Sequence, residues 1–110
     1  MTNDSDTFRA LAHPIRRGVI EHLALGPATV GEATRGFDVS KPTVSRHLRV
    51  LEEAGLVVRT VEGRTHRLRL QPAPLSEATA WLETQQTRWQ QLFDVVEQYL
   101  EEQTTKKDAT

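Results

Sequence analysis

One amphipathic segment, VSKPTVSRHLRVLEEAGLV at residues 39–57, constrains the fold of this chain more than any other part of the sequence. Val44, Leu48 and Leu51 are separated by four and three residues, so they share one face of an α-helix. Lysine and arginine can reach DNA phosphates or guanine edges, and hydroxyls can bond either, so the other faces suit the major groove. The alternative is a solvated helix whose charges only keep the protein in solution. The polar side chains on those faces are Lys41, Thr43, Ser45, Arg46 and Arg49.

The composition indicates one modest domain. The chain has 110 residues, of which 37% are hydrophobic, and it contains no cysteine. Disulfides, thiolate metal sites and a cysteine nucleophile are therefore excluded. No run approaches the roughly 20 apolar residues of a membrane span, and the start MTNDSD lacks the basic and apolar parts of a signal peptide. We expect a cytoplasmic protein with no membrane partner.

The charge is unevenly distributed, although the formal net value is only −1. Residues 38–70 hold seven Lys or Arg against four acids, whereas residues 71–103 hold one base against six acids. The basic middle predicts a surface for a polyanion, and the acidic C-terminal part predicts a surface kept away from it. A chance asymmetry is the alternative.

The N-terminal part of the chain predicts three helices. The first covers residues 6–12, and the second runs from residue 14 to about residue 25, since Pro14 suits a first turn and Gly26-Pro27 ends a helix. Thr29 and Glu32 match a capping box, which begins a short helix ending near residue 36. Ser40 then caps the amphipathic helix described above, and Gly55 ends it.

A hairpin and a long helix follow. Residues 56–61 and 65–70 are β-rich and flank a turn at residues 62–64. One long helix is expected over about residues 75–101, within a single domain at residues 1–103, followed by a disordered tail at residues 104–110. The order of elements predicts a mainly α fold with a small β-hairpin, namely a winged helix-turn-helix with an N-terminal helix and a long C-terminal helix for dimerisation.

The long C-terminal helix predicts a homodimer. Its apolar side chains recur at spacings of three and four residues, broken only by Gln85. Large aromatics there are costly to leave in water, so burial against the same helix of a second subunit is the simplest solution. Folding back onto its own domain is the alternative. The expected interface consists of Phe8, Leu11, Leu82, Trp89, Leu92, Val96 and Tyr99.

Three segments together resemble the ArsR/SmtB family of bacterial transcriptional repressors: FRALAHPIRRGVIEHLALGP, VSKPTVSRHLRVLEEAGLV and RTVEGRTHRLRL. The resemblance covers roughly residues 8–100. It implies a homodimer that binds an imperfect palindrome in double-stranded DNA and represses a promoter, often its own. Ala33 and Asp38 stand where the family more often has a leucine and a glycine.

The resemblance also implies a DNA-binding set in the recognition helix, with Arg64 entering or flanking the minor groove. On physical grounds, Lys41 and the basic side chains of the hairpin would mostly contact phosphates. Ser45, Arg46 and His47 are the candidates for base edges. For His47, a phosphate contact or a hydrogen bond within the protein is the rival interpretation, and His66 is interpreted as a solvated strand residue. The full set is Lys41, Thr43, Ser45, Arg46, His47, Arg49, Arg59, Arg64, Arg67 and Arg69.

Other functions find less support in the residues. We expect no cofactor and no metal, since the short third helix has no cysteine and the last helix no histidine; His22 with Glu21 or Asp38 is the nearest approach to a metal site. A small organic effector could bind between the subunits, at a site lined by Trp81 and Trp89. Control by the protein's own abundance, with no effector, is the other possibility that the sequence leaves open. The sequence contains no nucleophile elbow, no paired catalytic carboxylates and no phosphate loop, so no motif in it indicates an enzyme. A winged helix that binds protein instead of DNA is the main alternative.

Overall fold

The computed structural model describes residues 4–108, and it describes side chains as far as residue 106. The chain divides into two compact units, one ending at Ala78 and the other beginning at Thr79. Whether residues 1–103 behave as one domain stays a prediction. The elements are α1 (Asp4–Leu11), α2 (Pro14–Leu23), β1 (Ala28–Thr29), α3 (Val30–Ala33), α4 (Lys41–Glu53), β2 (Val57–Glu62), β3 (Thr65–Leu70) and α5 (Ala73–Asp108).

The predicted caps are in place. The Thr29 hydroxyl accepts from the Glu32 amide at 3.2 Å, and the Ser40 hydroxyl accepts from the Thr43 amide at 3.4 Å. Each cap satisfies an amide that has no partner inside its helix. Gly55 follows α4 with φ +73°, a conformation that glycine adopts at little cost. Local signals therefore fix where α3 and α4 begin and where α4 ends.

The core of the first unit lies where α4 meets the other helices and the sheet. Leu48 and Leu51 of α4 are buried, as the helical spacing predicts, while Val44 is partly buried at the edge. Burying a leucine side chain contributes roughly 1.5–3 kcal/mol, so this stripe anchors α4. The largest fully buried side chains are Leu48, Leu51, Leu56, Leu68, Val19 and Thr7.

The sheet has three antiparallel strands in the order β1-β3-β2. The hairpin of β2 and β3 is confirmed; its end pair is Glu62 with Thr65, and Gly63 in the two-residue turn has φ +61°. The strand β1 was not predicted, because two residues are too few to show an alternating pattern. It pairs Ala28 with Leu68 and so ties the start of α3 to the wing hairpin.

The C-terminal helix α5 is longer than predicted. It begins at Ala73, since Pro74 is tolerated in a first turn, and it continues through Asp108. Residues 104–108, expected in a disordered tail, are helical, because no glycine or proline follows Pro74 to stop the helix. The last two residues of that expected tail lie outside the described residues.

Gly18 of α2 lies close to the side chain of Phe37. A Cβ atom at this position would lie 2.6 Å from Cζ of the Phe37 ring. Phe37 follows α3 and packs against the buried core. The absence of a side chain on Gly18 therefore lets the loop before α4 lie against α2.

We expect Gly18→Ala to lower the free energy of unfolding by about 1 kcal/mol. Overpacking costs roughly 1–3 kcal/mol, which outweighs the roughly 1 kcal/mol that alanine contributes within a helix. Urea unfolding measures the difference. In a Phe37→Leu background the ring is gone, and the same substitution should stabilise.

Gly31→Ala is the matched control, since the nearest atom to its added Cβ would be the Thr29 hydroxyl oxygen at 4.0 Å. Equal effects of Gly18→Ala in the two backgrounds would disprove the contact with Phe37.

Candidate nucleic-acid interface

The face of α4 opposite the core is polar and exposed. Lys41, Ser45, Arg46 and Arg49 are exposed, and Thr43 is partly buried. The burial of Leu48 and Leu51 fixes the rotation of the helix about its axis, so these polar side chains have to point outward. The structure thus brings together five of the six α4 residues predicted to face DNA.

A chain of polar contacts orders the first two turns of α4. The hydroxyls of Ser40 and Thr43 lie 2.9 Å apart, and Arg46 donates through Nη2 to the Thr43 hydroxyl at 3.3 Å. Because the Thr43 oxygen accepts from Arg46, its own proton is free to go to Ser40. Thr43 therefore orients the Arg46 guanidinium along the exposed face.

His47 is placed differently from the rest of the predicted set. Its ring is partly buried against α2, with its centroid 4.3 Å from that of the His13 ring. Arg16 Nη1 lies 3.1 Å from His47 Nδ1. These contacts favour the interpretation of His47 as an intraprotein hydrogen-bond partner, which the sequence had left open beside base reading.

The surroundings of His47 disfavour its protonated form. Burial, followed by the nearby His13, Arg16 and Arg46, lowers the pKa of His47 below its ordinary value of 6.5. Burial and then Arg9 also lower the pKa of Arg16. Arg16 and Arg46 thus place positive charge beside the His47 ring.

The wing strands separate their basic residues onto two faces. Arg67 and Arg69 of β3 are exposed and alternate with the buried Leu68 and the partly buried Leu70. In the β2–β3 register Arg67 is opposite Thr60, whereas Arg59 is opposite Leu68. Directly paired residues share a face, so Arg59 lies on the core side of the sheet and Arg67 on the outer side.

Arg59 is bound within the protein. It forms an ion pair with Glu52 of α4, and its Nη1 lies 3.2 Å from Nδ1 of His66. His66 is thus partly buried and held by Arg59, in contrast to the solvated strand residue that the sequence indicated. The ion pair joins β2 to the end of α4. Glu52 also offsets the positive charge of Arg59, which was predicted to contact phosphate.

An open groove lies between the start of α3 and the wing. Its volume is about 490 Å³, and the exposed Arg64 follows Gly63 at the tip of the hairpin. The groove presents hydroxyls and guanidinium groups together. It is lined by Thr29, Val30, Gly31, Arg59, Arg64, Thr65 and His66.

The second unit presents an uncovered apolar surface along α5. Trp89 is 62% exposed, and its ring centroid lies 5.8 Å from that of Phe93. Phe8 and Leu11, also predicted at a dimer interface, belong to the first unit and are partly buried there. The exposed predicted interface residues on α5 are Leu82, Trp89, Leu92, Val96 and Tyr99; Trp81, Phe93, Val95 and Leu100 are exposed as well.

The described part of the chain contains neither a metal-binding cluster nor a membrane-spanning helix. No group of three or more His, Asp or Glu side chains at residues 4–106 could hold a metal ion. Among the helices described, none has the length and apolarity needed to cross a membrane.

Sequence reasoning missed Arg16 and His13. The sequence indicated only that α2 starts at Pro14, yet the preceding His13 caps α2 by accepting the Ile15 amide through Nδ1 at 3.1 Å. Histidine is not among the usual capping residues, so no local rule pointed to it. The contact between Arg16 and His47 joins residues 31 positions apart and carries no signal along the sequence.

Known proteins share this arrangement. A family model described as a helix-turn-helix domain matches residues 11–60. An HTH-type transcriptional regulator of Mycobacterium tuberculosis is 44% identical over 69 residues, which span 63% of this chain and 64% of that protein's length, slightly under two thirds. The transcriptional repressor SdpR of Bacillus subtilis is 28% identical over 78 residues, 71% of this chain and 87% of the repressor.

Solved structures extend the likeness to nearly the whole fold. The homodimeric winged helix-turn-helix DNA-binding domain of a Mycobacterium bovis protein superposes with a TM-score of 0.56 at 25% identity, over 80% of each chain. The crystal structure of an ArsR family transcriptional regulator superposes with a TM-score of 0.76 at 34% identity, over 82% of this chain and 97% of that one. The chain therefore belongs to the ArsR family of winged helix-turn-helix transcriptional regulators.

Proposed function

We propose that this protein binds double-stranded DNA in a sequence-specific manner and represses transcription from a bacterial promoter. The observation that carries the proposal is the exposed face of α4, where Lys41, Ser45, Arg46 and Arg49 point outward from a helix anchored by Leu48 and Leu51. A firmly anchored helix with such a face suits the major groove. The ArsR family membership and the repressor relative support the same function.

The roles of the basic residues differ according to their surroundings. Arg46, oriented by Thr43, and the adjacent Ser45 are assigned to base edges, where a good bidentate pair contributes about 1–3 kcal/mol of discrimination. The exposed Arg67 is assigned to phosphate, which supplies affinity without sequence preference. Arg59 contributes less than predicted, because Glu52 neutralises it. Lys41, Arg49, Arg64 and Arg69 complete the phosphate-binding set.

We propose further that the protein acts as a homodimer through α5. The exposed apolar side chains of α5 need cover from water, and the homodimeric domain from Mycobacterium bovis supports this kind of association. A two-fold dimer places two recognition helices about 34 Å apart, one turn of DNA. An imperfect palindrome is the expected operator.

A binding assay on the DNA upstream of the protein's own gene tests the function. We expect a fluorescence anisotropy signal that survives excess competitor DNA and weakens at least about tenfold between about 50 mM and about 200 mM salt. A folded protein that binds no DNA at low salt would support the protein-interaction alternative. Scanning genomic fragments in the same assay covers an operator located elsewhere.

Arg46→Ala and Arg67→Ala should separate base reading from phosphate contact. We expect Arg46→Ala to weaken specific binding by about 1–3 kcal/mol with a smaller effect on competitor DNA. Arg67→Ala should weaken both alike and reduce the salt slope by about one. The two substitutions remove the same charge from exposed side chains, so each is the control for the other. Equal losses of specificity would contradict the assignment of Arg46.

Trp89→Glu should give a folded monomer that no longer binds the operator. The substitution places a charge in the centre of the exposed apolar surface of α5, where burial in a dimer would leave it unpaired. Gln91→Glu adds the same charge about 200° around the helix and should leave the dimer intact. Sedimentation gives the mass of each variant; a dimeric Trp89→Glu would remove this surface from the proposed interface.

A further inference from the structure

The Arg16 side chain connects three helices of the first unit. Its Nε donates to the Ala10 carbonyl at 2.8 Å and its Nη2 to the Arg9 carbonyl at 2.9 Å, both in the last turn of α1. Its Nη1 reaches His47 of α4 at 3.1 Å. One planar guanidinium on α2 thus links the end of α1 to the middle of the recognition helix.

The hydrogen bonds show which ring nitrogens of the two histidines accept. A guanidinium only donates, so Nδ1 of His47 has to accept from Arg16. Nδ1 of His13 likewise accepts, because its partner is the backbone amide of Ile15. The Arg16 contact therefore requires His47 to carry its single proton on Nε2. A second proton, on Nδ1 of His47, would remove this contact.

The charged groups that act on the His47 ring are all basic within the described part of the chain. They are His13 and Arg16 of α2 and Arg46 of its own helix, while Arg9 of α1 acts on Arg16. A proton on the His47 ring would add a cation to this group. The carboxylates of Asp6 in α1 and Glu53 in α4 line a separate pocket, with Arg9, Val50 and Ala54.

We propose that Arg16 and His47 are positioning residues that hold the recognition helix for DNA binding only while the His47 ring accepts a hydrogen bond from Arg16, so that mild acid weakens the binding. The inference rests on the proposed DNA-binding function. Arg16 supplies the fixed donor, and His47 is the acceptor that acid removes. The protein would then bind its operator less tightly once the surrounding pH is low enough to protonate His47.

The direction of the pH dependence follows from the number of protons that the folded and unfolded chains bind. The pKa of His47 is lowered in the folded protein, so between that value and the ordinary value of about 6.5 the unfolded chain binds more protons. The contribution of His47 to stability is complete above about pH 6.5 and falls as the pH drops through that value. A histidine that bound phosphate as a cation would give the opposite result, since acid would strengthen its contact with DNA.

The test compares operator affinity at about pH 7.5 and about pH 5.5, at constant ionic strength, with circular dichroism confirming that the protein stays folded. We expect the wild-type protein to bind more weakly at the lower pH. The loss should stay below about tenfold, the value expected one unit under the ordinary histidine pKa, because the pKa of His47 is lowered. His47→Asn keeps an acceptor oxygen near the position of Nδ1 and cannot titrate. It should rescue most of the operator binding at the higher pH that His47→Leu loses, and it should lose most of the pH dependence.

Two further variants complete the design. His47→Leu removes the acceptor and should weaken binding at both pH values, which separates positioning from titration. His22→Asn makes the same chemical change as His47→Asn on an exposed histidine of α2 and should keep the wild-type profile.

The outcomes separate this inference from the function on which it rests. Wild-type binding that is equally strong at both pH values, or stronger in acid, would overturn the positioning role and leave DNA binding intact. A His47→Asn profile identical to that of wild type would also overturn it. Absence of binding by the folded protein at the higher pH would overturn the proposed function itself, and this inference with it.

Discussion

The burial of Leu48 and Leu51 is the constraint on which the rest of the first unit depends. Each contributes roughly 1.5–3 kcal/mol, and a rotation of α4 by one residue toward its C-terminus, about 100°, would put Arg49 and Glu52 in their places in the core. Burying an unpaired guanidinium is prohibitive. The core therefore determines which side chains of α4 face outward, and the candidate interface is a consequence of packing.

The sequence predicts those parts of the structure whose causes lie within a few residues. The caps at Thr29 and Ser40, the glycine turn at Gly63 and the apolar stripe of α4 are all local, and all are confirmed. The pairing of β1 with β3 joins residues 40 apart, Ala28 and Leu68, and two residues show no periodicity. Such long-range contacts depend on the assembled fold, so they left no mark on the sequence pattern.

The same distinction divides the candidate site. Alternation in β3 was sufficient to predict that Leu68 is buried and Arg67 exposed. It could not predict which face of β2 carries Arg59, because that depends on the register of the hairpin and on Glu52 across the α4–β2 contact. For His47 the helical position indicated a residue near the DNA-facing set, yet Arg16 and His13 turn its ring inward. The position of a basic residue on a helix or strand thus predicts the exposure of its side chain better than it predicts which residues that side chain contacts.

Because of the distribution of charge, the two proposed associations, dimerisation and DNA binding, should respond to salt in opposite directions. Residues 1–78 hold 11 Lys or Arg and 9 acids, a net of +2, whereas residues 79–110 hold 3 and 6, a net of −3; together these give the formal −1 of the chain. In the proposed dimer, two copies of the second unit would repel each other where their apolar surfaces meet, and salt would screen that repulsion over a Debye length of about 8–10 Å. Salt would also displace the proposed basic surface from phosphates. We therefore expect rising salt to favour the dimer while it weakens DNA binding, so that a loss of operator affinity in salt would arise at the protein–DNA contact and not from dissociation of the subunits.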